Sequence, residues 1–262
     1  MLSLNAFFGV LDKYAPIKYS HKYIELGDYD NSGVLIKSTN EVKRVLFSLD
    51  LSLEVVNRAK RLKVDTIVTH HPAIYNPLKS LDCYGENSEV CLAIKLGLNV
   101  ISMHLNLDVS DGGIDDSLCL GLGGKKYKIL FPILEGVGYG REFKVNQTTF
   151  HEFIKNAKKS FGTNRVVSYG NKNSLIKTGA SFCGSGSSYV EKYLTNGGDV
   201  DVIVTSDMPH HVISKTLLSG KCVLILTHYS AEDKGLYNYY EKIKKETEKD
   251  VECYFFSDKR FM

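Results

Sequence analysis

The stretch VDTIVTHHPAIYNP, residues 64–77, decides how this chain is read. Val64 to Thr69 is an apolar, β-branched run with the composition of a buried strand. It breaks off at His70-His71-Pro72. Neighbouring strand residues point to opposite faces. Two adjacent imidazoles can therefore serve one region only where the strand has just ended. Pro72 biases His71 toward an extended backbone and keeps a helix from starting there. In an open α/β sheet, ligands bind beyond the carboxyl ends of the strands, which is where this pair stands.

Working outward, strand and helix patterns alternate. Residues 5–14 are predicted as a helix that stops before Pro16, and residues 32–37 and 42–50 as strands. Residues 51–62 set Val55, Ala59 and Leu62 on one helical face. Residues 88–99 fit a helix ended by Gly97, and 100–108 a strand that runs into a loop. This order predicts βαβ units and a largely parallel sheet. Further on, residues 136–146 are hairpin-like and 148–161 helical. Residues 174–188 are a strand entering a Gly/Ser turn, and Ser188 to Glu191 have capping-box form. Residues 200–207 and 221–230 are two more strands; 234–246 form an amphipathic helix with Leu236, Tyr239, Tyr240 and Ile243 inward. Gly121 to Gly124 is a helix end and turn.

The chain echoes itself. VDTIVTHH is followed by a helix and then NVISMHLNLD; VDVIVTSDMPHH is followed by a helix and then CVLILTHYSAED. Each half has an aliphatic strand ending in polar groups, then a strand ending in His with a carboxylate four residues on. The expected fold is α/β: two similar lobes with mostly parallel or mixed sheets, divided near residue 125 into 1–125 and 126–262. Both lobes contribute ligands, and a metal site is expected in the cleft between them.

With 262 residues, 43% apolar and 24% charged, the composition is that of an ordinary globular protein. Basic and acidic residues nearly balance, 33 against 30. That balance gives no argument for nucleic acid or an anionic membrane as partner. The six cysteines form no Cys-x-x-Cys pair, which argues against a thiolate zinc site. They are expected to be reduced core residues of a cytoplasmic protein. The N-terminus lacks a basic n-region and is read as an amphipathic helix. No apolar run approaches the ~20 residues that span a bilayer.

Six of the eight histidines, His70, His71, His104, His210, His211 and His228, fall at or just past predicted strand ends. A single histidine there is ordinarily a loop residue with a local hydrogen bond, and adjacent pairs weaken that explanation. Asp108 follows His104 by four residues, and Glu232 follows His228 by four. Histidines and carboxylates without sulfur suit Zn²⁺, Mn²⁺, Fe²⁺ or Co²⁺. Such a set can hold two ions, with one carboxylate bridging them.

Residues 28–36 (DYDNSGVLI), 69–81 (THHPAIYNPLKSL), 104–123 (HLNLDVSDGGIDDSLCLGLG), 183–188 (CGSGSS), 205–211 (TSDMPHH) and 227–232 (THYSAE) occur in the order of the NIF-three-like family. The resemblance covers essentially the whole chain and is to the short form, without a central insertion. It implies a dinuclear-metal homohexamer of the kind named for type 2 GTP cyclohydrolase I activity. It implies a metal set of His70, His71, Asp108, His228 and Glu232, with His71 and Asp108 on one ion, His70 and His228 on the other, and Glu232 bridging and catalytic. His104, His210 and His211 are then groups that orient ligands or handle protons. Two positions depart from the family pattern. Cys183-Gly184 stands for a double glycine, and Asp207 after Ser206 for a Glu after Gly. The Gly184-Ser185-Gly186 turn is a weak candidate for a substrate phosphate.

Three functions follow. The first is a metal-dependent hydrolase whose small-molecule substrate is a nucleotide, GTP, opened at purine C8 with loss of formate. The second is a metal-binding regulatory, storage or chaperone scaffold without that activity. The third is a non-catalytic α/β protein.

Overall fold

Val45, Leu46 and Phe47 are all fully buried, although consecutive strand residues face opposite ways. Both faces of that strand are therefore covered, as in a parallel sheet flanked by helices. The computed structural model describes residues 1–261. It divides into two units, Met1–Asp111 with Leu236–Ser257, and Gly112–Gly235 with the segment from Asp258. The division thus falls at 111/112, earlier than the expected boundary near 125. Residues 236–257 return to the first unit because the last strand pairs there.

In the first unit, β1 (Leu2–Ser3) pairs with β3 (Glu41–Val42) as a separate antiparallel ribbon. Between them lie α1 (Leu4–Tyr14), α2 (Ile17–Glu25) and β2 (Gly33–Ile36). Ser3 caps α1, its hydroxyl accepting from Ala6 N at 3.2 Å. The main sheet uses β4 (Arg44–Ser48), β5 (Thr66–Thr69) and β6 (Asn99–Ser102). They are joined by α3 (Leu53–Leu62) and α4 (Ser88–Lys95). Its order is β13-β4-β5-β6-β2, with β13 (Glu252–Phe256) parallel to β4 and β2 antiparallel to β6. The predicted βαβ units are all present. Past β6 the chain does not continue as a loop but forms α5 (Leu105–Val109), so Asp108 sits on a helix. Its four-residue spacing from His104 is one helical turn, closed by Asp108 N donating to His104 O at 3.0 Å.

The second unit opens with α6 (Ile114–Gly121) and a long hairpin, β7 (Lys125–Leu134) and β8 (Val137–Thr149). Then come α7 (Phe150–Phe161), β9 (Val166–Tyr169), β10 (Leu175–Ser181), α8 (Ser187–Thr195), β11 (Val202–Thr205), α9 (His210–Leu218) and β12 (Cys222–Leu226). The sheet order is β7-β8-β10-β11-β12-β9; only β10, β11 and β12 run parallel. Each unit therefore holds a parallel core, four strands in the first (β13-β4-β5-β6) and three in the second, and in each the strand-helix-strand repeat of the internal echo is present. α10 (His228–Thr247) starts six residues before the expected helix at 234, so His228 belongs to a helix start and not to a strand. The expected capping box at Ser188 does not form. α8 begins at Ser187 after Gly186, with no side-chain cap.

The cysteine expectation is corrected in part. Cys83 and Cys91 form a disulfide, while Cys119, Cys183, Cys222 and Cys253 are free and buried. The pair escapes a motif scan because its spacing is set by a local turn. Asn87 N donates to Asp82 O at 3.1 Å, folding Cys83 back toward the start of α4. Among the described residues, no helix is long and apolar enough to cross a membrane.

The second unit is pinned by a buried charge cluster. Arg141 of β8 is only 1% exposed. Its Nε donates to Asp116 Oδ1 at 2.6 Å, and its Nη1 to the Gly138 and Gly140 carbonyls at 2.8 and 3.1 Å. Removing one partner of such a pair leaves an uncompensated buried charge. Asp116→Ala is therefore expected to lower unfolding free energy by about 3 kcal/mol. Chemical denaturation checks this, and Asp116→Asn should recover part of the loss.

Candidate metal centre

The carboxyl ends of β4, β5 and β6 are level. Ser48 pairs with Thr69, and Thr69 with Ser102. His70 and His71 follow at once, with both backbone N–H groups donating to Leu49 O, at 3.1 and 3.0 Å. The Thr69 hydroxyl donates to His71 O at 2.8 Å and shares a hydrogen bond with the Ser102 hydroxyl. These contacts fix the two imidazoles, whose ring centroids are 5.0 Å apart. The His104 ring lies 5.2 Å from His70 and 5.9 Å from His71. One nitrogen of each of the three lies within 4.8 Å of the others, close enough to share an ion.

Each ring is already committed at Nδ1. His70 Nδ1 bonds the Met103 carbonyl at 2.8 Å, His71 Nδ1 bonds Asp50 at 2.6 Å, and His104 Nδ1 bonds Asp30 at 2.7 Å. A carbonyl or carboxylate can only accept, so Nδ1 carries the proton and Nε2 keeps its lone pair. Burial pushes the Asp30 carboxyl up, but the His104 hydrogen bond and the hydroxyls of Ser20 and Ser32 outweigh it. Asp30 is held below the ordinary carboxylate range and stays charged. Asp108, on α5, faces His70 Nε2 at 3.4 Å. Asp108, expected beside His71, thus stands next to His70. His70 is tied to the end of β6, and α5 grows from that same end, which brings Asp108 over His70.

The second unit repeats the logic. His228 Nδ1 bonds Asp207 at 2.5 Å, and His228 Nε2 lies 3.1 Å from Glu232 Oε1, one turn along α10. Glu232 is buried. The turn after β10 closes over this pair. A Cβ on Gly184 would stand 2.6 Å from Glu232 Oε1 and 3.4 Å from His228 Nε2, and Gly184 has φ +55°. The turn is itself pinned from α6. Asp115 accepts from Cys183 N at 3.0 Å and from Gly140 N at 2.6 Å. Tyr139 Oη donates to Cys183 O.

Not every expected residue joins these groups. His210 and His211 are exposed on the first turn of α9 and make no side-chain hydrogen bond among the described residues. Ser185 is exposed and Gly186 buried. A Cβ on Gly186 would meet Phe182 Cβ at 2.4 Å, so that glycine serves close packing. Sequence reasoning missed Asp30 and Asp50, and it noted Asp207 only as a departure from a pattern. A carboxylate at a strand or loop end carries no sign that it faces an imidazole from a distant segment.

The model of the Duf34/NIF3 (NGG1p interacting factor 3) family matches residues 2–260. A Clostridium perfringens protein named GTP cyclohydrolase 1 type 2 homolog is 27% identical over 256 residues, covering 96% of this chain and 95% of its own. The NGG1-interacting factor 3 of Saccharomyces cerevisiae is 30% identical over 249 residues, covering 85% and 83%. A Staphylococcus aureus crystal structure superposes with TM-score 0.85 at 25% identity, covering 98% of this chain and 97% of that one. A Bacillus cereus protein related to NIF3 gives TM-score 0.86 at 17% identity over 98% and 97%, a likeness of fold.

The four Nδ1 commitments predict a tautomer that can be read directly. Long-range ¹H–¹⁵N spectra of metal-free protein should show a protonated Nδ1 for His70, His71, His104 and His228. An unprotonated Nδ1 in any of the four would contradict the assignment of that ring.

Proposed function

This chain belongs to the Duf34/NIF3 (NGG1p interacting factor 3) family, and from that membership we propose that it is a two-metal hydrolase acting on GTP. His70, His71 and Asp108 of the first unit and His228 and Glu232 of the second are its ligands. Within the first unit His70 and Asp108 face each other as partners for one ion, and within the second His228 and Glu232 stand together. The observation that carries this reading is that His70, His71 and His228 each bond a carbonyl or carboxylate through Nδ1, the arrangement that orients metal-ligating histidines, and that Asp108 and Glu232 face His70 and His228 through Nε2. The donors are nitrogen and oxygen only, which suits Zn²⁺, Mn²⁺, Fe²⁺ or Co²⁺.

Two such ions would supply Lewis acidity and water acidic enough to react near neutral pH. The chain's own groups do the rest. Asp50 and Asp207 orient His71 and His228 and raise their basicity. Asp30 holds His104 in one tautomer, so its Nε2 takes a proton from the attacking water and returns it to the leaving ring nitrogen. Gly184 lets backbone approach Glu232 without a side chain between. On GTP, hydrolysis at purine C8 opens the imidazole ring, and a second hydrolysis releases formate. The names of the bacterial relatives support the substrate. The same reading carries a ring of six copies, so light scattering should give about six times the chain mass of 29.3 kDa.

The yeast relative, named for an interaction with NGG1, favours a second reading: a metal-bearing scaffold that binds a protein and turns nothing over. Metal content and formate release, measured on the same preparations, separate the two. The hydrolase reading expects about two ions per chain and formate from GTP. Glu232→Gln should abolish turnover, and His70→Ala and Gly184→Ala should lower metal content. Metal-loaded protein that releases no formate from GTP overturns the cyclohydrolase assignment. Protein that retains no transition metal overturns the metal site as well.

A further inference from the structure

The near balance of charge over the whole chain hides a strong local excess. Residues 150–177 carry six Lys or Arg and one Asp or Glu, against 33 and 30 in the full chain. The remainder is slightly acidic, 27 basic residues against 29 acidic. The second unit concentrates this excess around a cavity of about 700 Å³ between α7, β9 and the turn after β9. His151, Lys155, Lys158, Lys159 and Lys172 line it, and no carboxylate does.

Simple structural roles account for only part of this set. Lys158 and Lys159 lie in the last turn of α7, where cations complement the helix dipole. His151 and Lys155 lie toward its other end, and Lys172 is not on the helix at all. Lys155 shares Glu152 of the same helix at 3.5 Å. Lys172 reaches the Ser168 hydroxyl and lies 5.0 Å from the Phe150 ring centre. Lys158 and Lys159 meet no carboxylate among the described residues. The arrangement is held rigidly. Thr149 caps α7, accepting from Glu152 N at 3.3 Å, and His151 N donates to Lys172 O at 2.9 Å. That bond joins the two basic walls. Ile154 and Val166 give the cavity an apolar floor.

We propose that this cavity is a binding site for a small molecule carrying two or more linked phosphates. Several ammonium groups around one concavity match clustered phosphate charge, and 700 Å³ lies within the range of small-molecule sites. Apart from His151 the lining contains no aromatic ring, so the stacking platform that single-stranded nucleic acid uses is missing. The site is independent of the proposed metal ligands, none of which lines it.

Calorimetric titration of the full chain with inorganic tripolyphosphate, ATP and a short DNA duplex tests the proposal. Tripolyphosphate is expected to bind and to weaken as KCl is raised. The Lys155→Ala/Lys158→Ala/Lys159→Ala variant should bind it roughly tenfold more weakly or worse. Lys172→Glu, on an exposed turn outside the helix, should do the same. Glu232→Gln should keep the affinity, which separates this site from the metal centre. Equal affinity for tripolyphosphate and ATP means that the phosphates alone are read; tighter ATP means that the nucleoside meets the apolar floor, and both support the proposal. No tripolyphosphate binding, binding untouched by the lysine variants or lost with Glu232→Gln, or lysine-dependent binding that is tighter for duplex DNA than for either small ligand would overturn it.

Discussion

Four imidazoles in this protein have no choice about which nitrogen they offer. Met103 O, Asp50, Asp30 and Asp207 each take an Nδ1, and every one of these acceptors comes from a different segment. Two of those segments, the ones carrying Asp50 and Met103, meet their histidines because parallel strands are in register. With Ser48, Thr69 and Ser102 level, the residues just past each end share one edge of the sheet. Asp50 then reaches His71, and Met103 reaches His70. A shift of one strand by a single residue would turn its side chains to the opposite face and separate every such pair. Strand register is thus a condition of the chemistry as well as of the core.

The order of strands and helices could be read from the sequence because parallel strands announce themselves. VDTIVT and VDVIVT are continuous β-branched runs, and all four residues of β5 and of β11 are buried. The ligand types could be read for a related reason. A histidine pair at the end of such a run has few structural uses. What the sequence could not reveal lies in contacts between distant segments. Asp30 reaches His104 across 74 residues and Asp50 reaches His71 across 21, and neither spacing has a period. Short elements were lost as well. Five residues of α5 make barely more than one turn, too few for a periodic pattern. The strand expected over 221–230 stops at Leu226, because THYS has no feature that separates a strand end from a helix start. His210 and His211 mimic the earlier pair in sequence, yet Pro209 precedes them. Proline favours the start of a helix, and the two rings are carried onto the exposed first turn of α9. In the first pair Pro72 follows the histidines and no helix forms.

Composition misled in one respect for a physical reason. A net charge is a sum over the chain, whereas a ligand meets only charges within about 10 Å at ordinary ionic strength. An overall balance is compatible with a single unit that is strongly basic along one helix and the strand and turn beside it.

The Gly184 turn shows how the buried core and the candidate chemistry are joined in the second unit. Arg141 and Asp116 anchor β8 to α6, and Asp115, the neighbour of Asp116, uses both carboxylate oxygens on backbone N–H groups of Gly140 and Cys183. Burial pushes the Asp115 carboxyl up, while Arg141 and those two N–H groups act in the opposite direction. Its two accepted hydrogen bonds set the height of the Cys183 peptide, and the next residue is the glycine that packs on Glu232. A left-handed glycine at this point gives closer contact than any other residue could. The carboxylate of Glu232 is therefore positioned from two sides, by its own helix and by a turn pinned to a buried ion pair. A double glycine at 183–184 would keep the same backbone bonds, because Asp115 reads the Cys183 N–H and Tyr139 reads its carbonyl. The Cys183 side chain adds buried volume to the core and leaves the contact with Glu232 unchanged.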